Sequence, residues 1–338
     1  MLPYIARRLL LAALTVGAIT ILAWVIIQLP QGDLVDEYFY VLMQEGISGG
    51  AGGPRADAMR KYLGMDQPMM VRYAKWMWNM MQGDLGVSFA GTADSMARER
   101  PIKEMLGDRI LMTVALTGFT ILVTWSFAIP VGIYSAVRQH SIGDYAFIFL
   151  GFTGLAVPDF LLGLVLMYVA FAYFDQSVGG LISSEYQNEP WSWSKAYDLL
   201  KHLWIPAVVL GTSGTASLVR IMRNNLLDEL SKPYVVTARA KGAHPWKVVI
   251  KYLVRVAINP LVSTVGYLLP ALISGSVIVS VVLSLPTIGP LLLYGIMQQD
   301  PYLAGFIVLM LGVLTVVGTL ISDILLAVVD PRIKLTNR

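Results

Sequence analysis

Long apolar runs separated by polar segments recur along the whole chain. A helix needs about 20 mostly apolar residues to cross the hydrocarbon of a bilayer. Six windows meet this requirement, at residues 9–29, 110–136, 146–174, 203–219, 261–285 and 303–329. The sequence lacks segments that alternate polar and apolar residues as the strands of membrane barrels do. The pattern predicts an all-α integral membrane protein with six transmembrane helices.

The composition supports a lipid environment. Hydrophobic residues make up 56% of the 338-residue chain and charged residues 14%, whereas about 25% of a typical soluble domain is charged. A net charge of +3 is weak evidence for a nucleic-acid partner, and we expect none. Because the sequence has no cysteine, disulfides and thiolate metal sites are excluded.

The distribution of basic residues predicts the orientation in the membrane. With both termini in the cytoplasm, the short outer segments carry only Lys195 and Lys201. Cytoplasmic loops usually carry the excess of Lys and Arg, and long loops such as residues 30–108 are exempt from this rule. The basic residues of the inner segments would be Arg7, Arg8, Arg138, the Lys and Arg residues between Arg220 and Arg255, Arg332, Lys334 and Arg338.

The first apolar run has an alternative interpretation as a cleavable signal peptide, because Arg7 and Arg8 precede it. Signal peptides have an apolar core of about 7–15 residues followed by a small-residue cleavage site. The run at residues 9–29 is longer than that, and it lacks such a site before "QLPQGD". We therefore expect an uncleaved first span.

Residues 30–108 form the longest segment between two apolar windows. The stretch "SGGAGGP" at residues 48–54 predicts a flexible turn, whereas "DQPMMVRYAKWMWNMMQGDLG" predicts a helix between Pro68 and Gly83. An amphipathic helix on the outer ends of the spans would explain its periodic side chains, and a thioether site for a soft metal is the alternative. No histidine or cysteine accompanies these side chains, which are Met69, Met70, Tyr73, Met77, Met80 and Met81.

The tryptophans are expected outside the membrane or at its outer boundary. Tryptophan is enriched at membrane interfaces because its ring is apolar and its N–H is polar. The residues concerned are Trp76, Trp78, Trp191, Trp193 and Trp204.

Two carboxylates fall inside apolar windows, where ionisable groups are functional candidates. Asp159 follows the helix-breaking Pro158, so it could line a water-filled route or serve the structure alone. Asp323 lies about one helical turn from the inner end of the last window, near enough to the cytoplasm to be hydrated or paired, and we expect it to be structural.

The fourth window, "LWIPAVVLGTSGTASLV", is rich in small residues. Small residues let helices approach closely in lipid, so this window is expected to pack inside a bundle. Its Gly-x-Ser sequence would suit a serine protease only with a histidine base within reach. The three histidines, His140, His202 and His244, are all predicted in loops or at a boundary, which disfavours that chemistry.

Residues 230–258, which we call the elbow, interrupt the apolar pattern with a basic segment. A glycine that ends one helix, followed three residues later by a proline suited to the next first turn, predicts a bend; Gly242 and Pro245 have this spacing. Small side chains would let the bend enter a groove on another protein. The alternative is a basic loop that only fixes topology. The small residues are Thr237, Ala238, Ala240 and Ala243.

The elbow resembles the coupling motif of ATP-binding-cassette (ABC) importer permeases. That motif reads Glu-Ala-Ala-x-x-x-Gly, and Val236, Thr237, Ala238 and Gly242 stand in its places, so the glutamate is missing. Ile258, Asn259 and Pro260 also come later than the usual Leu-Pro ending. Both departures, and the sequence "TARAKG", resemble the dipeptide, oligopeptide and nickel branch, whose first periplasmic segment is long. Further resemblances to this branch, in the same order along nearly the whole chain, are "GDLGVSF", "RPIKEMLGDRILMT", "VPDF", "SLPTIGPLL" and "DPRIK".

The resemblance implies a type I ABC importer permease fold with cytoplasmic coupling helices, in a bacterial or archaeal inner membrane. It divides the chain into a transmembrane helix at 1–29, an extracytoplasmic helical segment at 30–108, a core permease domain at 109–329 and a cytoplasmic tail at 330–338. The core domain contains the coupling region, residues 230–258. The residues expected to dock on an ATP-binding subunit are Thr237, Ala238, Arg239, Ala240, Lys241, Gly242, Ala243, His244, Pro245 and Trp246.

The energy for transport would come from other subunits. The sequence contains no Gly-x4-Gly-Lys-Ser/Thr loop to hold phosphates, so we expect no enzymatic activity and no cofactor in this chain. The resemblance implies two ATP-binding subunits that bind ATP and Mg. It also implies a second, homologous permease subunit and an extracytoplasmic solute-binding protein that delivers the cargo.

The translocation path and the cargo are the least specified features. Ser274 and Ser276 interrupt the fifth window and could line the path, together with Asp159 and Phe160, although close helix packing explains the serines equally well. Short peptides are the cargo that the resemblance favours; oligosaccharides, opine-like conjugates and nickel are the alternatives. The competing class is a stand-alone secondary transporter with ion sites at Asp159 and Asp323. Inverted repeats would favour that class, and none is visible in the sequence.

Overall fold

The computed structural model describes residues 2–29, 32–44, 53–88, 100–174, 176, 179–187 and 189–329. Most of the turn predicted at residues 48–54 and the whole tail at 330–338 lie outside these residues. The described chain is almost entirely helical. Its one strand pair, within the described residues, joins β1 (Val87–Ser88) to β2 (Arg100–Pro101) in antiparallel orientation.

The helices follow one another with short connections. In the first half they are α1 (Leu2–Ile27), α2 (Leu34–Gln44), α3 (Pro54–Tyr62), α4 (Met69–Met81), α5 (Ile102–Val137), α6 (Ile142–Ala156) and α7 (Asp159–Phe174). In the second half they are α8 (Trp193–Leu230), α9 (Pro233–Ala240), α10 (Pro245–Lys247), a π-helical turn (Val248–Leu253), α11 (Val254–Ala257), α12 (Asn259–Gly275), α13 (Val277–Val282), α14 (Ile288–Met297) and α15 (Pro301–Val329).

Four described helices are long and apolar enough to cross a membrane: Leu10–Ile27, Ile102–Val137, Trp193–Leu230 and Pro301–Leu326. Two bent pairs raise the number to six if each pair counts as one span. They are Ile142–Ala156 with Asp159–Phe174, and Pro245–Ala257 with Asn259–Val265. The prediction of an all-α protein with several apolar spans is confirmed.

The third predicted span is helical but bent by 103° between α6 and α7. Val157 ends α6 in an extended conformation, with φ −84° and ψ 126°. A residue that precedes proline is pushed out of the helical region because the proline ring collides with its backbone. Pro158 therefore explains why the apolar window at residues 146–174 does not form one straight helix.

The fourth predicted span is part of a much longer helix. α8 has 38 residues, and the Ser192 side chain caps its start by accepting a hydrogen bond from the backbone N–H of Lys195. Only the middle of α8 is apolar, so the window at residues 203–219 missed both polar ends. The close packing predicted for its small residues is confirmed, because a Cβ atom on Gly211 would lie 2.7 Å from Oγ1 of Thr124 in α5.

The fifth predicted span, at residues 261–285, is also divided. α12 ends at Gly275, and the shorter α13 begins at Val277. Ser276 lies between them, and its hydroxyl donates to the carbonyl oxygen of Ile273 at 2.9 Å. The serine thus satisfies a carbonyl at the end of α12, where the helix itself supplies no donor.

By its internal contacts the chain divides into two compact units. The N-terminal unit contains residues 2–111 and 287–314, and the central unit contains residues 112–286 and 315–329 among those described.

Aromatic packing fixes α4 within the N-terminal unit. Trp76 lies against Trp24 of α1, with ring centroids 5.0 Å apart. Tyr302 of α15 meets the other edge of Trp24 at 5.9 Å, and the hydroxyls of Tyr73 and Thr20 lie 2.8 Å apart. The helix predicted between Pro68 and Gly83 is confirmed as α4, and its inner face carries the aromatic contacts.

Buried polar groups hold the connections of the N-terminal unit. Asp300 accepts hydrogen bonds from the Ser88 hydroxyl and from the backbone N–H groups of Tyr302 and Leu303, so it caps α15. Complete burial raises the pKa of Asp300, and these hydrogen bonds oppose the rise. Burial also works against ionisation of Asp33, but hydrogen bonds from Arg60 and two backbone N–H groups outweigh it and lower the pKa of Asp33.

Two hydrophobic clusters form the core of the central unit. The first joins α5, α7, α8 and α13 through residues such as Leu116, Leu203 and Leu283. The second joins α5, α8, the elbow and α12 through Met222, Leu253 and others. Because the elbow contributes to the second cluster, it is part of the folded core.

An ion pair joins α6 to α8 in the central unit. Nε and Nη2 of Arg223 donate to the two carboxylate oxygens of Asp144 at 3.0 and 2.9 Å. Asp144 is almost completely buried and also accepts from the backbone N–H of His140. Removing one partner of a buried pair usually costs about 3–5 kcal/mol, because the other charge is left without compensation. This pair therefore fixes the start of α6 on α8.

The two neighbouring tryptophans of α4 provide a stability test. Trp76 is 4% exposed and Trp78 is 65% exposed. We expect Trp76→Ala to lower the free energy of unfolding by about 3–5 kcal/mol, because it leaves a cavity beside Trp24. Trp78→Ala, the matched control, should change it by less than about 0.5 kcal/mol. Denaturant unfolding of the purified chain in detergent measures both, and equal losses would contradict the packing described for α4.

Candidate functional site

The bend of the elbow is built on Gly242. Its φ of +78° lies in the left-handed region that favours glycine. The backbone N–H of Gly242 donates to the carbonyl of Arg239 at 2.9 Å, and that of Ala243 donates to the carbonyl of Ala238 at 3.1 Å. This pair of bonds is the Schellman motif, which ends a helix by satisfying its last carbonyls. The predicted end of the first short helix is confirmed.

The second helix of the elbow begins at the predicted proline. Pro245 occupies the first helical turn of α10 after His244, where the absence of its N–H costs nothing. A π-helical turn, Val248–Leu253, continues it to α11. The predicted arrangement of two short helices joined by a bend is therefore confirmed.

One side of the elbow is anchored in the core of the central unit. Val235 of α9 and Val248, Val249 and Leu253 of the π-helical turn are buried in the second hydrophobic cluster. Met222 of α8 belongs to the same cluster. Any movement of the elbow must therefore displace these contacts or carry α8 with it.

The other side of the elbow is exposed. Trp246 is 58% exposed, and Val236 is 66% exposed. Of the ten predicted coupling residues, only Ala238 and Ala243 are half-buried against the core, and both lie beside the bend. The exposed members are Thr237, Arg239, Ala240, Lys241, Gly242, His244, Pro245 and Trp246.

The exposed side is basic. Its exposed cations are Lys232, Arg239, Lys241, Lys247 and Lys251. None of them forms an ion pair with a carboxylate within the described residues. The surface combines an apolar centre with a positive rim.

Tyr234 ties the start of α9 to the end of α8. Its hydroxyl donates to the Glu229 carboxylate at 2.6 Å. Burial and this hydrogen bond raise the pKa of Tyr234 to about 12. The tyrosine therefore remains a neutral donor across the physiological pH range.

The sequence analysis missed three exposed apolar residues of the elbow as members of the site. They are Val236, Ile250 and Tyr252. In a chain whose sequence is 56% hydrophobic, apolar residues are expected in lipid or in the core, so their exposure at this bend has no signal in the composition. A helical wheel of the basic segment could have found them.

Two of the predicted path residues begin α7. Asp159 is its first residue, half-buried, and Phe160 beside it is exposed. No hydrogen bond or ion pair of the Asp159 side chain is present within the described residues. A carboxylate at a bend, beside backbone groups that Pro158 leaves unpaired, is in a suitable position to meet water.

The other two predicted path residues lie near α13. Ser276 is buried, and its hydroxyl bonds to its own helix; the Ser274 side chain lies outside the described residues. α7 and α13 are neighbours, because a Cβ atom on Gly163 would lie 3.3 Å from Leu283. The structure therefore places the two segments on adjacent helices, while the placement of Ser276 fits close packing.

The methionines of α4 do not converge on one point. Met70 and Met81 are exposed, whereas Trp76 marks the buried face. In the part of the chain that the structure describes, no three His, Asp or Glu side chains form a group that could hold a metal.

Comparison with known protein sequences gives consistent matches. Residues 128–335 match the family model described as binding-protein-dependent transport system inner membrane component. The oligopeptide transport system permease protein AppB of Bacillus subtilis is 34% identical over 99% of this chain and 100% of its own length. The dipeptide transport system permease protein DppB of Escherichia coli is 30% identical over 99% of both chains.

A solved structure shares the fold. A chain of the MetNI methionine ABC transporter in inward-facing conformations is similar with a TM-score of 0.51 and 20% identity, over 69% of this chain and 100% of that chain. The sequence match extends over more than half of this chain, and it includes α6 to α15 and the elbow. This chain therefore belongs to the family of inner-membrane components of binding-protein-dependent transport systems.

Proposed function

We propose that this chain is a permease subunit of an ATP-driven importer of short peptides. The observation that carries the proposal is the elbow, whose one side is buried in the core and whose other side is an exposed apolar surface with a basic rim. AppB and DppB are named for oligopeptide and dipeptide transport, which supports peptides as the cargo of this chain. Oligosaccharides, opine-like conjugates and nickel stay alternatives only by the sequence resemblance.

The exposed side of the elbow suits a groove on an ATP-binding subunit. Tryptophan is enriched among the residues that dominate binding energy, because a large ring can fill a pocket and exclude water. Trp246 is the anchor of this surface, and Val236 extends the apolar contact. Arg239 and Lys241 flank the bend, so the complementary groove would have an acidic rim.

The buried side would transmit force. The second hydrophobic cluster contains side chains of α5, α8, α12 and the elbow, so a push on the elbow reaches three long helices at once. In this mechanism two separate subunits bind ATP and Mg and close upon each other. Their closure moves the elbows of this chain and of a second, homologous permease, and it alternates access between the two faces of the membrane.

The orientation follows from the same assignment. A docking surface for ATP-binding subunits must face the cytoplasm, which places both termini there and residues 30–108 outside. The N-terminal unit then offers the exposed face of α4, with Met70, Trp78 and Met81, to an extracytoplasmic solute-binding protein. Residues 109–329 would form the permease core.

The elbow prediction concerns Gly242. Gly242→Pro removes the N–H that bonds to Arg239 and forces φ to about −65°. The bend should therefore be lost, and we expect the ATP-binding subunits to be absent when the permease is purified from membranes. Gly242→Asn is the matched control, because asparagine tolerates the left-handed region; it should retain the subunits.

A second variant keeps the bend intact. Trp246→Ala should weaken binding of the ATP-binding subunits by about 2 kcal/mol, the scale of a dominant interface residue. Titration of purified ATP-binding subunit against permease in nanodiscs measures it. Wild-type association in both Gly242→Pro and Trp246→Ala would overturn the docking of the elbow.

The outer face of α4 generates another prediction. Because Trp78 is exposed and outside the core, Trp78→Ala should leave the free energy of unfolding unchanged. It should nevertheless lower the stimulation of ATP hydrolysis by the solute-binding protein in the reconstituted complex. Undiminished stimulation would remove α4 from the docking platform.

The path prediction compares two carboxylates. Asp159→Asn should reduce the initial rate of peptide uptake severalfold without reducing assembly of the complex, because it removes a charge at the bend before α7. Asp323→Asn is the matched control and should act on assembly before uptake. Uptake at the wild-type rate in Asp159→Asn would show that Asp159 is outside the path.

A further inference from the structure

An apolar groove crosses the surface of the central unit. It has a volume of about 580 Å³ and is lined by α5, α6 and α8, within the ~300–1,000 Å³ typical of small-molecule sites. Its walls carry side chains such as Phe127, Phe147, Leu155 and Val219. The Thr212 hydroxyl donates to the carbonyl oxygen of Val208 in its own helix, so this wall offers no free donor.

The polar groups of the groove are gathered at one end. Along α8 the lining runs from Ala207 to Val219 and then meets Arg220, Arg223 and Asn224. Twelve residues of helix rise ~18 Å, which is close to half of the ~30 Å hydrocarbon thickness of a bilayer. The apolar part of the groove therefore has the length of one leaflet.

The two arginines at this end differ in charge balance. Arg223 is neutralised by its two hydrogen bonds to Asp144. Arg220 has no carboxylate partner within the described residues, and its guanidinium lies 5.1 Å from the centroid of the Phe152 ring, which also lines the groove. A single uncompensated cation therefore lies at the polar end.

We propose that this groove binds an anionic phospholipid, with one acyl chain along α5, α6 and α8 and the phosphate at Arg220. Basic pockets between transmembrane helices on the cytoplasmic side bind anionic headgroups. A free peptide carries charge at both ends, whereas the groove is polar at one end only. The assignment to the cytoplasmic leaflet rests on the orientation in the proposed function, since Arg220 lies on the elbow's side of α8.

The test uses the full chain in phosphatidylcholine nanodiscs. A minor fraction of a photoreactive phospholipid, with a diazirine in its acyl chain, carries either a phosphatidylglycerol or a phosphatidylcholine headgroup. Cross-linked residues are then mapped by mass spectrometry. We expect labelling of the groove to be about fivefold higher with phosphatidylglycerol, the factor that corresponds to ~1 kcal/mol for one basic residue near anionic lipid.

Three variants separate charge from shape. Arg220→Gln should equalise the labelling by the two lipids without lowering that by phosphatidylcholine. Arg138→Gln is the matched control, because Arg138 is also exposed and lies 6.0 Å from an aromatic ring, that of Tyr134, outside the groove. It should keep the wild-type ratio. Thr215→Trp should fill the groove and abolish labelling by both lipids.

Several outcomes would overturn the proposal. These are equal labelling of the wild-type groove by the two lipids, no labelling of the groove, or a wild-type ratio in Arg220→Gln. Loss of groove labelling on addition of a dipeptide would assign the groove to cargo, and loss on assembly with the second permease would assign it to that interface. Labelling needs no ATP-binding subunit, so failure of the proposed function would leave this result intact, and a failed lipid test would leave peptide uptake intact.

Discussion

The burial of one side of the elbow is the contact on which the proposed coupling depends. Val235, Val248, Val249 and Leu253 are all buried in the second hydrophobic cluster. Fully burying one such side chain contributes about 1.5–3 kcal/mol, which is an upper estimate when the unfolded chain is compact. Together these four side chains outweigh the roughly 2 kcal/mol of a single dominant interface contact. A docked subunit would thus move the elbow with its helices before it could pull the elbow away.

Helices inside lipid can be interrupted only where the freed backbone groups find new partners. Each interruption of the central unit shows such a partner. Ser141 caps α6 by accepting from the backbone N–H of Asp144, Ser276 bonds to the carbonyl of Ile273, and Gly242 closes the Schellman motif. The bend before α7 differs, because Asp159 has no partner within the described residues. A carboxylate without a partner at a break in a helix is the physical reason to connect Asp159 with water.

Local signals predicted much of this arrangement, and tertiary contacts decided the rest. Gly242 and Pro245 specify their own backbone conformation, so the bend of the elbow could be predicted from two residues and their spacing. Pro158 announces a break but not its angle, because 103° is set by how α6 and α7 pack on α8. Asp144 and Arg223 are 79 residues apart, and nothing local links them. Trp76 and Trp78 look alike in the sequence, and only the position of Trp24 decides which is buried.

α8 connects the features that were derived separately. Residues 207–230 continue without a proline to the start of the elbow, a rise of ~36 Å. The same helix carries Arg223, which holds α6; Arg220, at the polar end of the groove; and Met222, which contacts the buried side of the elbow's cluster. A straight helix moves as one body, so displacement of the elbow must also displace the groove and the start of α6. A lipid phosphate held at Arg220 would therefore lie within three residues of the pair that fixes α6, and its binding and the movement of the elbow would be coupled through one helix.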